Sequence, residues 1–171
     1  MTQLTIKPFQ ETLHAGMCGP ASLKMVLEYW GIVKSERELA DLCNTQSGLG
    51  TSDKDLKRVV ESFGLKVEIK NLSTFEDILF WLDKKVPVIV DWFTKGRSDY
   101  SDSEVSDGHY SVVVRLDNEY IYLQDPEICS IRKIKRCDFL KVWFDFKDEV
   151  ITSWGDMIIR QLIVIYPDTH I

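Results

Sequence analysis

Apolar positions fall into two regimes along the chain. Over the first half they recur every three or four residues, as in helices that bury one face. Leu23, Val26, Leu27 and Trp30 form the first such stripe, opened by Gly19-Pro20 and closed by Gly31. Proline suits a first helical turn, and glycine ends a helix without strain. Ser35-Glu36-Arg37-Glu38 has the form of a capping box and predicts a second helix carrying Leu39 and Leu42. A small-residue loop at 46–50 leads to a third helix, capped at Thr51 or Ser52. Its apolar face is Leu56, Val59, Val60 and Phe63, and Gly64 ends it. Val67 and Ile69 predict a short strand. Ser73-Thr74-Phe75-Glu76 predicts another capping box, before a helix with Phe75, Ile78, Leu79 and Leu82 on one side.

The pattern then changes. Residues 86–90 (Val-Pro-Val-Ile-Val) read as a buried strand, with Pro87 tolerated at its beginning. A long polar loop spans about 94–108. Strands at 109–116 and 120–124 follow, joined by Asp117-Asn118-Glu119. Phe139, Leu140, Val142 and Trp143 predict a short helix, and residues 162–165 a last strand. Helices first and strands afterwards predict an α+β fold with a mostly antiparallel sheet. The 171 residues fit one domain, 1–171, large enough to bury a core without a disulfide or metal staple.

Charge and composition narrow the function. The net charge is −6, from 21 basic and 27 acidic residues, which argues against a nucleic-acid binder. Residues 1–8 have neither the charged nor the apolar region of a signal peptide, and no apolar run reaches membrane-spanning length. The cysteines at 18, 43, 129 and 137 are irregularly spaced and contain no CxxC pair. Reduced thiols in a cytoplasmic protein are therefore expected, with no cofactor and no metal.

Candidate chemistry begins at Cys18, directly before Gly19-Pro20. Unpaired N–H groups and the helix dipole favour an anion there, so a thiol so placed is suited to act as a thiolate. The neighbouring glycine would leave room for a substrate backbone. Of the three histidines, His109 opens a strand after the long loop, where a polar side chain can face a cleft. If Asp117-Asn118-Glu119 is a three-residue loop, Leu116 pairs with Tyr120 and Ser111 falls opposite Asp125. His109 and Asp125 are then diagonal neighbours on one face, about 7–8 Å apart at Cα. A two-residue turn would put them on opposite faces. The Cys18 backbone N–H is one donor for an oxyanion, and Gln10 could supply a side-chain amide.

These residues carry a resemblance. Gln10 followed by Met17-Cys18-Gly19-Pro20-Ala21-Ser22-Leu23-Lys24-Met25-Val26-Leu27 is similar to the start of C39-like peptidases. So are Gly108-His109-Tyr110-Ser111-Val112-Val113-Val114 and Tyr122-Leu123-Gln124-Asp125-Pro126, with Gly50-Thr51-Ser52, Asp55-Leu56 and residues 85–90 between them. The resemblance runs from about Phe9 to Pro126. It implies a papain-like cysteine proteinase fold with Cys18, His109 and Asp125 as catalytic residues and Gln10 in the oxyanion hole. The implied function is that of a free-standing cysteine peptidase or amide hydrolase acting on a peptide or amide substrate through an acyl-enzyme. Acyl transfer by the same thiol, or a non-catalytic peptide-binding module, are the alternatives. The acidic residues Asp99, Asp102, Glu104 and Asp107 precede His109 and read as a solvated loop that partly covers the cleft. The four-residue spacing of His14 and Cys18 lacks a second ligand pair, so zinc is not expected.

Overall fold

A computed structural model of the chain describes residues 2–12, 16–46, 50–94, 108–147 and 152–170. Three helices come first: α1 (Cys18–Tyr29), α2 (Glu36–Leu42) and α3 (Asp53–Ser62). Then follow β1 (Leu65–Lys70), α4 (Phe75–Asp83), β2 (Val88–Phe93), β3 (Gly108–Leu116), β4 (Tyr120–Asp125), β5 (Ser130–Lys135) and α5 (Arg136–Val142). The chain continues through β6 (Phe144–Phe146), a 3-10 turn (Trp154–Asp156), β7 (Met157–Ile159) and β8 (Leu162–Pro167). Six strands form one antiparallel sheet in the order β1-β8-β2-β3-β4-β5, while β6 and β7 pair as a small ribbon. The predicted α+β architecture is the one found. Among the described residues no helix is long and apolar enough to cross a membrane.

The helix starts follow local chemistry. At α2 both halves of the capping box form: Glu38 N–H donates to Ser35 Oγ at 3.2 Å, and Ser35 N–H to Glu38 Oε2 at 2.9 Å. Ser52 caps α3. At α4 the box is shifted one residue from the expected Ser73–Glu76 frame. Ser73 is buried and its hydroxyl donates back to the Lys70 carbonyl at 3.0 Å. Thr74 and Asp77 make the box instead. Strand β2 begins after Pro87 and runs on through Asp91, Trp92 and Phe93, beyond the apolar stretch that predicted it.

The core lies between helices and sheet. Leu23, Val26, Leu27, Leu39, Leu56, Val60, Ile78 and Leu82 supply the helical side, and Val88, Val90, Val112, Ile163 and Ile165 the strands. One contact fixes α1 over β3: Ser22 Oγ, inside α1, donates to the Tyr110 carbonyl at 3.0 Å.

The β3–β4 hairpin overturns one expectation. Asp117 N–H donates to the Tyr120 carbonyl at 3.0 Å, leaving Asn118 and Glu119 as a two-residue turn, and Leu116 pairs with Ile121 rather than Tyr120. The Asp117 carboxylate stabilises that turn by accepting from the Glu119 and Tyr120 N–H groups at 3.0 and 2.8 Å. Uncorrected, this register would send His109 and Asp125 to opposite faces. A bulge between Val113 and Arg115 restores the pairing of Val113 with Leu123 and Val112 with Gln124. The extra bulge residue resets the alternation of the strand beyond it.

Candidate active site

Cys18 is the first residue of α1, and its helix start has no side-chain cap. The first N–H groups of a helix have no intrahelical acceptors, so this end presents free donors around the thiol. Gly19 is required by a close approach, though not the one expected. A Cβ there would lie 2.8 Å from Thr51 Cβ and 2.9 Å from Thr51 Oγ1, so the space is filled by the segment leading into α3. Thr51 is held in turn by a hydroxyl–hydroxyl bond to Thr45 at 2.7 Å.

His109, the second residue of β3, is buried. Its Nε2 is 2.9 Å from Asp125 Oδ1, and its ring is also hydrogen-bonded to the Cys18 side chain. With Nε2 turned to the carboxylate, Nδ1 is the ring nitrogen left for the thiol. Trp92, the cross-strand partner of His109, packs edge-on against the imidazole with ring centres 5.6 Å apart. Trp92 Nε1–H donates to Ser111 Oγ at 3.1 Å, which locks the indole in place. Asp125 is fully buried. It accepts from Arg132 Nε on Oδ2 at 2.7 Å and from the Glu127 N–H on Oδ1 at 2.9 Å. The structure therefore links Cys18, His109 and Asp125 in one chain of hydrogen bonds, with Arg132 behind it.

The electrostatics match this geometry. Burial opposes a charge on His109, but the bonds to Asp125 and Cys18 outweigh it and push the imidazole up to about 10. Burial likewise disfavours an ionised Asp125. The His109 and Arg132 bonds and charges overcome this and hold the carboxyl below its ordinary value. Cys43, also buried, is pushed by burial up to about 12, a range in which a thiol stays protonated.

Gln10 is not part of this chain of bonds. It is exposed, and its amide donates to the Glu127 carbonyl at 3.2 Å, two residues beyond Asp125. Its backbone neighbour is better placed: Glu11 N–H donates to the Pro126 carbonyl at 2.9 Å. The Glu11 Oε2 atom is buried with no hydrogen-bond partner. Burial pushes Glu11 up to about 7; the His109 charge opposes this, and Asp125, Glu127 and Glu36 reinforce it. His14 and the acidic residues Asp99, Asp102, Glu104 and Asp107 lie outside the described residues.

Sequence reasoning also missed Arg132, Trp92 and Asp91. Arg132 sits on β5, whose charged residues hid it as a strand. Asp91 had a readable signal, a lone carboxylate between Val-Ile-Val and Trp-Phe in a run otherwise apolar.

Helices followed by an antiparallel sheet, with a cysteine at a helix N-terminus facing a strand histidine, define the papain-like cysteine peptidase class. The chain belongs to the Peptidase_C39 like family, which it matches over residues 2–151. An uncharacterized protein of Methanothermobacter marburgensis is 32% identical over 131 residues, covering 74% of this chain and 75% of that protein. Among solved structures, the fold is similar to the peptidase domain of Streptococcus ComA, a bifunctional ABC transporter involved in a quorum-sensing pathway. The TM-score is 0.66 at 18% identity, over 95% of this chain and 99% of that one. It is also similar to a double glycine motif protease from an AMS/PCAT transporter, solved with its leader peptide. There the TM-score is 0.67 at 20% identity, over 97% and 94% of the two chains.

Proposed function

We propose that the protein is a cysteine peptidase or amide hydrolase in which Cys18 attacks the carbonyl, His109 moves the proton and Asp125 holds the imidazole. The observation that carries this reading is the buried Cys18–His109–Asp125 hydrogen-bond chain at the N-terminus of α1. Cys18 attacks as the thiolate, its proton already held on His109, and His109 gives that proton to the leaving amine as the C–N bond breaks. Water then attacks the acyl-enzyme, with His109 as base, and releases the acid. Asp125 keeps the Nε2 proton directed at itself, so that Nδ1 serves the sulfur. Arg132 keeps Asp125 ionised and oriented. The Cys18 N–H is one oxyanion donor. Gln10 is the side-chain donor carried over from the family resemblance, and to serve it exchanges the Glu127 carbonyl for the substrate oxygen.

The test is release of product from a panel of fluorogenic peptide amides by wild type, Cys18→Ala and Cys43→Ala. Loss of turnover in Cys18→Ala alone is expected. Activity retained in Cys18→Ala and lost in Cys43→Ala would refute the site.

A further inference from the structure

Glu36 opens α2, directly after the capping residue Ser35. An acid in a first helical turn commonly lies at the surface, complementing the positive end of the helix dipole. Glu36 does not. It is 4% exposed, and Glu38 closes the capping box instead. Its carboxylate turns inward and grips Thr12, far earlier in the chain. The Thr12 N–H donates to Glu36 Oε1 at 3.0 Å and to Oε2 at 3.3 Å, and the Thr12 hydroxyl donates to Oε2 at 2.6 Å. Both oxygens of a buried acid are thus engaged by Thr12. Hydrogen bonds to a carboxylate are roughly twice as strong as neutral ones, so the grip is firm.

Thr12 ends a stretch whose other two residues are held by a different element. Gln10 Nε2 donates to the Glu127 carbonyl at 3.2 Å, and the Glu11 N–H to the Pro126 carbonyl at 2.9 Å. Residues 10–12 are therefore strung between the start of α2 and the turn that follows Asp125. The Glu11 bond and the Glu36 clamp fix the backbone, while the exposed Gln10 side chain can turn. An amide serving an oxyanion must come to about 2.7–3.1 Å from it, and a misplacement of about 1 Å costs on the order of a hundredfold in rate. A stretch fastened at one end only would pivot about the Glu11 bond and lose that placement.

We propose that Glu36 is a positioning residue for the oxyanion hole: its clamp on Thr12 holds the backbone of residues 10–12 still while the Gln10 amide leaves the Glu127 carbonyl for the substrate oxygen. The assignment rests on the hydrolase reading above and adds a residue to it. Glu36 touches no reacting atom. It acts through Thr12 and Gln10, so its contribution belongs to the transition state, where the oxyanion forms.

The experiment is a double-mutant cycle with Gln10, read as kcat and KM on a cleaved peptide amide. Glu36→Met fills similar space without an acceptor. It should lower kcat about ten- to a hundredfold and change KM less than about twofold. Glu36→Gln keeps one acceptor and should fall between Glu36→Met and wild type. In the Gln10→Ala background Glu36→Met should lower kcat no further, because the group it positions is gone. A merely structural role lowers kcat by the same factor in both backgrounds. Wild-type kcat in Glu36→Met, or an equal factor in both backgrounds, overturns the proposal. Thr12→Val deletes the hydroxyl bond at an exposed position and carries the same cycle should Glu36→Met fail to fold. There a loss of about threefold or more that vanishes without Gln10 is expected, and no loss overturns the clamp. Amide hydrogen exchange reads the clamp without turnover. The Thr12 N–H should exchange at least about tenfold faster in Glu36→Met, with the amides of α1 unchanged; an unaltered Thr12 rate overturns the clamp. Failure of the hydrolase reading looks different: wild type cleaves no peptide amide, or Gln10→Ala turns over at the wild-type rate. Either removes the reaction that Glu36 would serve, and the proposal with it.

Discussion

Replacing Glu11 with Gln should stabilise the protein at neutral pH and leave it unchanged in acid. Glu11 combines a buried, unpartnered Oε2 with a carboxyl pushed from 4.5 to about 7, by burial first. The unfolded chain loses this proton near 4.5, whereas the folded chain keeps it until about 7. Between those values the folded state binds more protons, so stability falls as pH rises and levels off above 7. At about 1.36 kcal/mol per pH unit the full penalty is about 3 kcal/mol, and the partial exposure of the side chain reduces it to about 1–2 kcal/mol. Glutamine has nearly the same shape and no charge to desolvate. Urea denaturation of wild type and Glu11→Gln at pH 4.5 and pH 8 checks this. The two should coincide in acid, with the variant more stable by about 1–2 kcal/mol at pH 8. A variant less stable than wild type at pH 8 but not at pH 4.5 would show that Glu11 makes a favourable bond as the carboxylate and would refute the desolvation penalty.

Other substitutions probe the supports of the site. Gly19→Ala should cost about 1–3 kcal/mol by collision with Thr51, and Thr51→Gly in the same chain should recover most of it; thermal melts of the single and double variants decide this. Arg132→Met leaves the fully buried Asp125 with one fewer counter-charge and should destabilise by about 3–5 kcal/mol at pH 7, less where Asp125 is protonated, read by urea denaturation. Gln10→Ala should lower turnover of a cleaved peptide amide about a hundred- to a thousand-fold with little change in KM. Wild-type turnover in that variant would remove Gln10 from the oxyanion hole.

The elements that sequence reasoning recovered are those whose information is local. The stripe of Leu23, Val26 and Leu27 and the capping box at Ser35 each specify a helix without reference to the rest of the chain. The frame at α4 was ambiguous because Ser73–Glu76 and Thr74–Asp77 both satisfy the capping pattern, and only the burial of Ser73 against Lys70 separates them. Strand β5 is an edge strand with Arg132, Lys133 and Lys135 among its six residues, so it lacks the apolar run that betrays a central strand. The facing of His109 and Asp125 was anticipated from a turn of the wrong length, and a bulge that no local motif announces restores it.

The central claim, that Cys18 is activated by His109, is tested most directly by the rate of iodoacetamide labelling against pH. The measurement uses wild type and His109→Ala, with each cysteine resolved by mass spectrometry. An imidazole raised to about 10 by Asp125 and Cys18 stays charged through neutral pH and supports the thiolate there. Cys18 should therefore label rapidly at pH 5–6, well ahead of Cys137, and His109→Ala should slow it at least about tenfold. A Cys18 that labels only as the pH passes that of an ordinary thiol, about 8.5, and does so equally with and without His109, would contradict the account.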